Sequence, residues 1–137
     1  TLTQNINEAL ELAQSEVFAQ LIELAIKTEE CFSKTNFDPS VLISKQSALL
    51  KEKKNQLLYL QLLMIYYEDV LKMKLGKSDD IRYKTYETSL TLSESKMTQA
   101  ICLERIKALL ETEKRIQSNG NVLLCLDRLF LQMKGGI

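Results

Sequence analysis

One run dominates this chain of 137 residues: Gln56-Leu57-Leu58-Tyr59-Leu60-Gln61-Leu62-Leu63-Met64-Ile65-Tyr66-Tyr67-Glu68-Asp69-Val70-Leu71-Lys72-Met73-Lys74-Leu75-Gly76. From Leu57 to Tyr67 only Gln61 interrupts the apolar residues. Wound at 3.6 residues per turn, they fall on nearly every side of a helix, which marks a central helix covered by several neighbours. Lys53, Lys54, Glu68 and Asp69 flank the stretch, which is shorter than the roughly 18–20 apolar residues a membrane span needs. A soluble protein with a buried core helix is therefore expected. Gly76 is placed to end the helix, because glycine readily takes the left-handed conformation just past a helix C-terminus.

The flanking sequence is helical too. With one Pro and four Gly in the whole chain, no Asn-Gly or Asp-Gly joins two alternating runs, as a hairpin would need. Asn5-Ile6-Asn7-Glu8 reads as a capping box, with Asn5 the cap, and Ile6, Leu10, Ala13 and Val17 follow at helical spacing. A second segment, or the continuation of the first, runs from about Ser15 to Lys34 with Phe18, Leu21, Ile22, Ala25 and Phe32 on one face. Asp38-Pro39 suits an N-cap followed by the first helical position. That helix carries Val41, Leu42, Leu49 and Leu50, and either continues through Lys51-Glu52-Lys53-Lys54 or pauses there. After the central run, Ile81–Leu92 is a short helix, and Ser93 is the expected cap of the next. The latter places Cys102, Leu103, Ile106, Leu109 and Leu110 on one face. Asn119-Gly120-Asn121 stops it, Asn121 capping a last helix with Leu123, Leu126, Leu129, Phe130 and Met133 inward. The expected fold is all-α: one domain over 1–137, a compact bundle of about five to six helices.

Composition excludes much chemistry. Lys and Arg number 18 against 18 Asp and Glu, and there is no His. A net charge of zero is unlike a nucleic-acid-binding domain. Without His there is no Ser-His-Asp triad, no imidazole base and no His-liganded zinc. Cys31, Cys102 and Cys125 are widely spaced and read as small buried hydrophobes of a reducing compartment. No phosphate-binding glycine loop is present. Glu68 and Asp69, adjacent on a helix, point about 100° apart and cannot share a ligand. The basic group Lys45, Lys51, Lys53 and Lys54 reads as a solvated face. Catalytic, cofactor-binding and metal-binding residues are all expected to be absent. Charge is uneven: residues 1–33 carry −5, residues 34–84 +4 and residues 85–137 +1, a polarity able to orient a neighbouring subunit. In a chain without Trp, Tyr66, Tyr67, Tyr83 and Tyr86 are the candidate interface residues, each an apolar ring with a polar tip.

Two stretches carry a resemblance. Leu62 to Gly76 and Arg115 to Leu131 are similar to the C-terminal domain of the bacterial DNA polymerase III delta-prime family, a clamp-loader component. Asp69, Lys74 and Gly76 match the first of that family's patterns, with Glu68 where an Arg is usual. Asn119, Asn121 and Leu126 match the second, with Asp127 at its acidic position. The resemblance covers roughly residues 40–134 and extends to the collar domains of other clamp-loader subunits. It implies a cytoplasmic, non-catalytic collar (oligomerisation) domain without the N-terminal AAA+ module. Such domains pack side by side in a ring that loads the sliding clamp in DNA replication. The implied partners are subunits of gamma/tau and delta type, with no cofactor, no nucleotide, no membrane and no direct DNA contact. On the residues alone, a helical adaptor binding a single protein partner fits as well.

Overall fold

The computed structural model describes residues 16–32, 39–77, 81 and 87–135, and within them the chain is helical without strands. Six helices follow in order: α1 (Glu16–Phe32), α2 (Pro39–Lys45), α3 (Lys53–Lys74), α4 (Glu87–Lys96), α5 (Gln99–Gln117) and α6 (Val122–Gly135). Asn5, Asp38, Tyr83 and Tyr86 lie outside the described residues.

The long apolar run is the axis of the bundle. α3 packs against α1, α4 and α5, while α6 lies on α5 and touches α2. Nine consecutive residues of α3, Tyr59 to Tyr67 with Gln61 alone half-buried, are otherwise buried, as is Val70. That follows from side chains that are apolar on all sides and so require cover on all sides. On α1, Phe18, Leu21 and Ala25 are buried as the spacing predicts, with Ile22 and Phe32 at the margin of the core.

The helix ends are well defined. Gly76 has φ 75°; its N–H donates to the Met73 carbonyl at 3.2 Å and that of Lys77 to the Lys72 carbonyl at 2.8 Å. This pair of bonds is the Schellman motif, with glycine in its left-handed position. α5 ends in the same motif, but with Asn119 (φ 66°) in the left-handed position. Asn119 N–H donates to Ile116 at 3.0 Å and Gly120 N–H to Arg115 at 2.9 Å. Asn121 then caps α6, its Oδ1 accepting from Leu124 N–H at 3.1 Å.

Of the two alternatives left open before the central helix, the pause holds, and it begins earlier, just after Lys45. The chain turns there over residues 46–50, where Asn55 and Gln56 reach back to the Leu49 and Leu50 carbonyls. Ser93, however, caps nothing: α4 continues to Lys96 and Thr98 caps α5, accepting from Ile101 N–H at 3.2 Å. Ser93 is buried, and its hydroxyl is bonded instead to Tyr66 at 2.8 Å.

Candidate functional site

The strongest chemical cluster lies inside the bundle. Glu29 of α1, Tyr67 of α3 and Arg105 of α5 meet where their helices pack, and each is at least 97% buried, Glu29 being the most exposed at 3%. Arg105 Nη1 donates to Glu29 Oε2 at 3.0 Å and Oε1 at 3.2 Å, and to the Tyr67 hydroxyl at 3.3 Å. The Tyr67 hydroxyl in turn donates to Glu29 Oε2. Met97 Sδ lies 3.3 Å from the same guanidinium nitrogen. The Arg105 Cζ stands 5.2 Å from the Phe32 ring centre and 5.3 Å from that of Tyr67, within cation–π range.

Burial pushes the Glu29 carboxyl above the usual carboxylate range, opposed chiefly by the charge of Arg105. Burial, reinforced by the negative charge of Glu29, raises the Tyr67 hydroxyl well above the ordinary tyrosine value. Arg105 is held above its ordinary value by Tyr67 and Glu29, against the opposing effect of burial. Glu29, Tyr67 and Arg105 Nη1 thus satisfy one another, while Arg105 Nε is buried without a hydrogen-bond partner. The cluster fixes how three helices meet.

Sequence reasoning missed this cluster, although a signal was present. Glu29 falls between Ala25 and Phe32 on the buried stripe of α1, and Arg105 between Cys102 and Leu109 on that of α5. A charge interrupting an apolar stripe requires a partner. What the sequence could not show is that the two charges, 76 positions apart, meet each other.

Tyr66 and Tyr67, expected at a subunit interface, are both 0% exposed. Their polar tips are already satisfied within the chain, by Ser93 and Glu29. They anchor the core, and a neighbour has no access to them. Tyr59 is buried likewise, its hydroxyl 2.7 Å from that of Thr28. Asp69 is buried on α3 and Glu68 half-buried beside it. Lys53, drawn from the basic group before α3, donates to the Gln117 carbonyl at 3.2 Å and to Asn119 Oδ1 at 2.9 Å. It thereby ties the start of α3 to the α5–α6 turn.

Cys31, Cys102 and Cys125 are free thiols and buried; burial raises the Cys102 thiol above its ordinary value, the opposite of a poised nucleophile. No group of three or more potential metal ligands occurs among the described residues. Among the described residues, no helix is long and apolar enough to cross a membrane. A cleft of about 400 Å³ between α5 and α6 is rimmed by Glu104, Lys107, Glu111 and Gln132, with Arg105, Ala108 and Met133 among its lining.

The surface is more informative. Leu103 and Leu110 on α5 are 50% and 46% exposed, and Leu124 and Leu131 on α6 are 68% and 72% exposed. Leu123 also faces outward. The expected inward placement of Leu103, Leu110 and Leu123 is thus corrected. The core sides of these helices are instead made by Cys102, Arg105 and Leu109, and by Cys125, Leu126, Leu129, Phe130 and Met133. Each exposed pair is seven residues apart, so each forms a ridge along one side of its helix.

No protein-family model matches the chain, and no solved structure matches it. Among curated proteins, DNA polymerase III subunit delta' of Bacillus subtilis (strain 168) is 31% identical over 136 residues. The alignment covers 98% of this chain and 41% of that relative, so the chain spans well under half of the relative's length. By sequence, then, the chain is related to the C-terminal part of the DNA polymerase III delta-prime subunit.

Proposed function

We propose that this chain is a collar unit of a bacterial clamp loader, the non-catalytic oligomerisation domain of a delta-prime-type subunit. The observation that carries the reading is the relation to the C-terminal part of subunit delta' over nearly the whole chain. Two further features support it. The buried Glu29–Arg105 pair, with Tyr67, ties three helices together, which suits a rigid building block. Two leucine ridges on different helices stay exposed, and a subunit with a neighbour on each side needs two apolar faces. In this reading the partners are clamp-loader subunits of gamma/tau and delta type, in the cytoplasm. Sliding-clamp loading depends on ATPase modules elsewhere in the assembly. The chain itself binds neither nucleotide nor DNA.

Light scattering on a sizing column tests the reading, with the chain alone and then mixed with the gamma/tau-type and delta-type subunits of the same bacterium. Entry into a larger complex of fixed stoichiometry is the expected result. A chain that stays apart from those subunits, yet captures one unrelated protein partner, is the adaptor instead.

A further inference from the structure

α5 carries a sequence repeat that its packing leaves unused. Leu103-Glu104-x-x-Lys107 is followed, seven residues on, by Leu110-Glu111-x-x-Lys114. The inner side of the helix is formed by other residues: Cys102, Arg105, Ala108, Leu109, Thr112 and Ile116. Seven residues at 100° each return to within about 20° of the starting direction and rise about 10.5 Å, so each repeated pair becomes a row. The lysine row lies about 40° round the helix from the leucine row, and the glutamate row about 60° beyond that.

These rows are not equally occupied. Glu104 and Glu111, together with Lys107, border the cleft against α6, and Glu111 has Arg115 within 3.9 Å. Lys107 and Lys114 are exposed and make no ion pair among the described residues. The half-exposed leucines therefore stand beside a lysine row that forms no ion pair among the described residues. Repeated polar residues alone would describe a solvated helix side. Leucines repeated in step with unpaired lysines describe a side matched to a second helix, in which apolar anchors supply affinity and charges fix register.

We infer that this side of α5 receives an acidic amphipathic helix of a neighbouring clamp-loader subunit, an inference that rests on the collar reading. Two apolar side chains of that helix, seven residues apart, seat on Leu103 and Leu110. Carboxylates at the same spacing meet Lys107 and Lys114. The contact is heterologous, joining unlike surfaces, as a ring demands.

The test is reconstitution of the clamp loader from whole subunits, with the variants introduced into the subunit that carries this chain. Affinity is read by titration at low and at high salt. Leu103→Ser with Leu110→Ser is expected to weaken assembly by about tenfold or more at either salt concentration. Lys107→Glu with Lys114→Glu weakens it at low salt and much less at high salt, since exposed charge pairs are screened. Glu104→Gln leaves it unchanged. Circular dichroism and melting temperature, unaltered in each variant, separate lost docking from lost folding. If the wild-type subunit assembles and the leucine variant assembles equally well, the inference is overturned and the collar reading stands. Charge reversal that tightens assembly overturns the acidic partner. A wild-type subunit that joins none of the others overturns both readings.

Discussion

Arg105 illustrates what a buried charge does in this chain. Its guanidinium is held by one carboxylate, one hydroxyl, one thioether and two aromatic faces, each from a residue that must be in place for the others to fit. Taking two charges out of water is costly, and the pair repays this only while both members are present. Arg105→Met should therefore destabilise the fold by about 3–5 kcal/mol by leaving Glu29 uncompensated. The double change Glu29→Met with Arg105→Met should recover most of that loss. Chemical denaturation of the two variants decides the point; equal stability of both would show that the pair is not coupled. The tyrosines give a second expectation. Burial raises the hydroxyls of Tyr59 and Tyr67 above their ordinary value, so above pH of about 10 the unfolded chain releases protons that the folded chain retains. Their contribution to stability is full below that pH and falls as pH rises beyond it. Melting temperatures across the alkaline range, read beside tyrosinate absorbance, should show Tyr59 and Tyr67 ionising only with unfolding.

At the scale of the helix, the ends matter as much as the faces. A side chain at Gly76 would meet nothing within 4 Å, so only its left-handed backbone resists substitution. Gly76→Ala should cost about 1–2 kcal/mol, the penalty of an L-residue in that conformation. Gly120 differs: a Cβ there would lie 2.8 Å from the Arg115 carbonyl oxygen and 3.1 Å from Cys125 Sγ. Because the first of these is backbone and cannot swing away, Gly120→Ala must displace the α5–α6 turn. A larger loss of melting temperature than for Gly76→Ala is expected, with amide exchange raised at the start of α6. Much of this scale was legible in the sequence, because glycine and asparagine at helix ends act through local backbone geometry. Gly76 and Asn121 do what their positions predicted. Ser93 did not, because Ser93 and Thr98 are both competent caps and the choice between them is made by Tyr66, 27 positions away. The same limit hid the candidate site. Leucines at helical spacing look alike whether they face a core or a neighbour, so Leu103 and Leu110 read as inward. Tyr66 and Tyr67 read as outward because their hydroxyl partners lie on other helices.

For the whole molecule, the charge asymmetry along the chain acquires a sharper meaning. Lys53 is committed to the α5–α6 turn, and Lys54 has Glu52 at 3.6 Å in an exposed pair. Reversal of Lys53 should therefore lower stability by about 1 kcal/mol or more, as expected for a lost hydrogen bond to a charged donor. Lys51→Glu with Lys54→Glu should instead leave stability unchanged and slow association with the other subunits at low salt, where steering by exposed charge is strongest. Stopped-flow mixing at two salt concentrations separates the two effects. An association rate indifferent to the exposed lysines would remove any steering role for this region.

Four of the residues on which the resemblance to the delta-prime family rests share a character. Gly76 and Asn119 turn the chain at the ends of α3 and α5, Asn121 starts α6, and Lys74 holds the last turns of α4 through the Glu94 carbonyl at 2.7 Å. Asn121 reaches a leucine ridge only through the Leu124 backbone N–H. Together the four fix where the helices begin and stop, so they act as a gauge, setting α3 at 22 residues and α5 at 19. A single residue inserted between Leu103 and Leu110 would leave every one of these stops intact. It would nevertheless turn everything beyond it by about 100°, taking Leu110 out of line with Leu103 and setting Leu109, Thr112 and Ile116 at odds with Cys102 on the inner side of α5, so intact stops do not by themselves preserve the bundle.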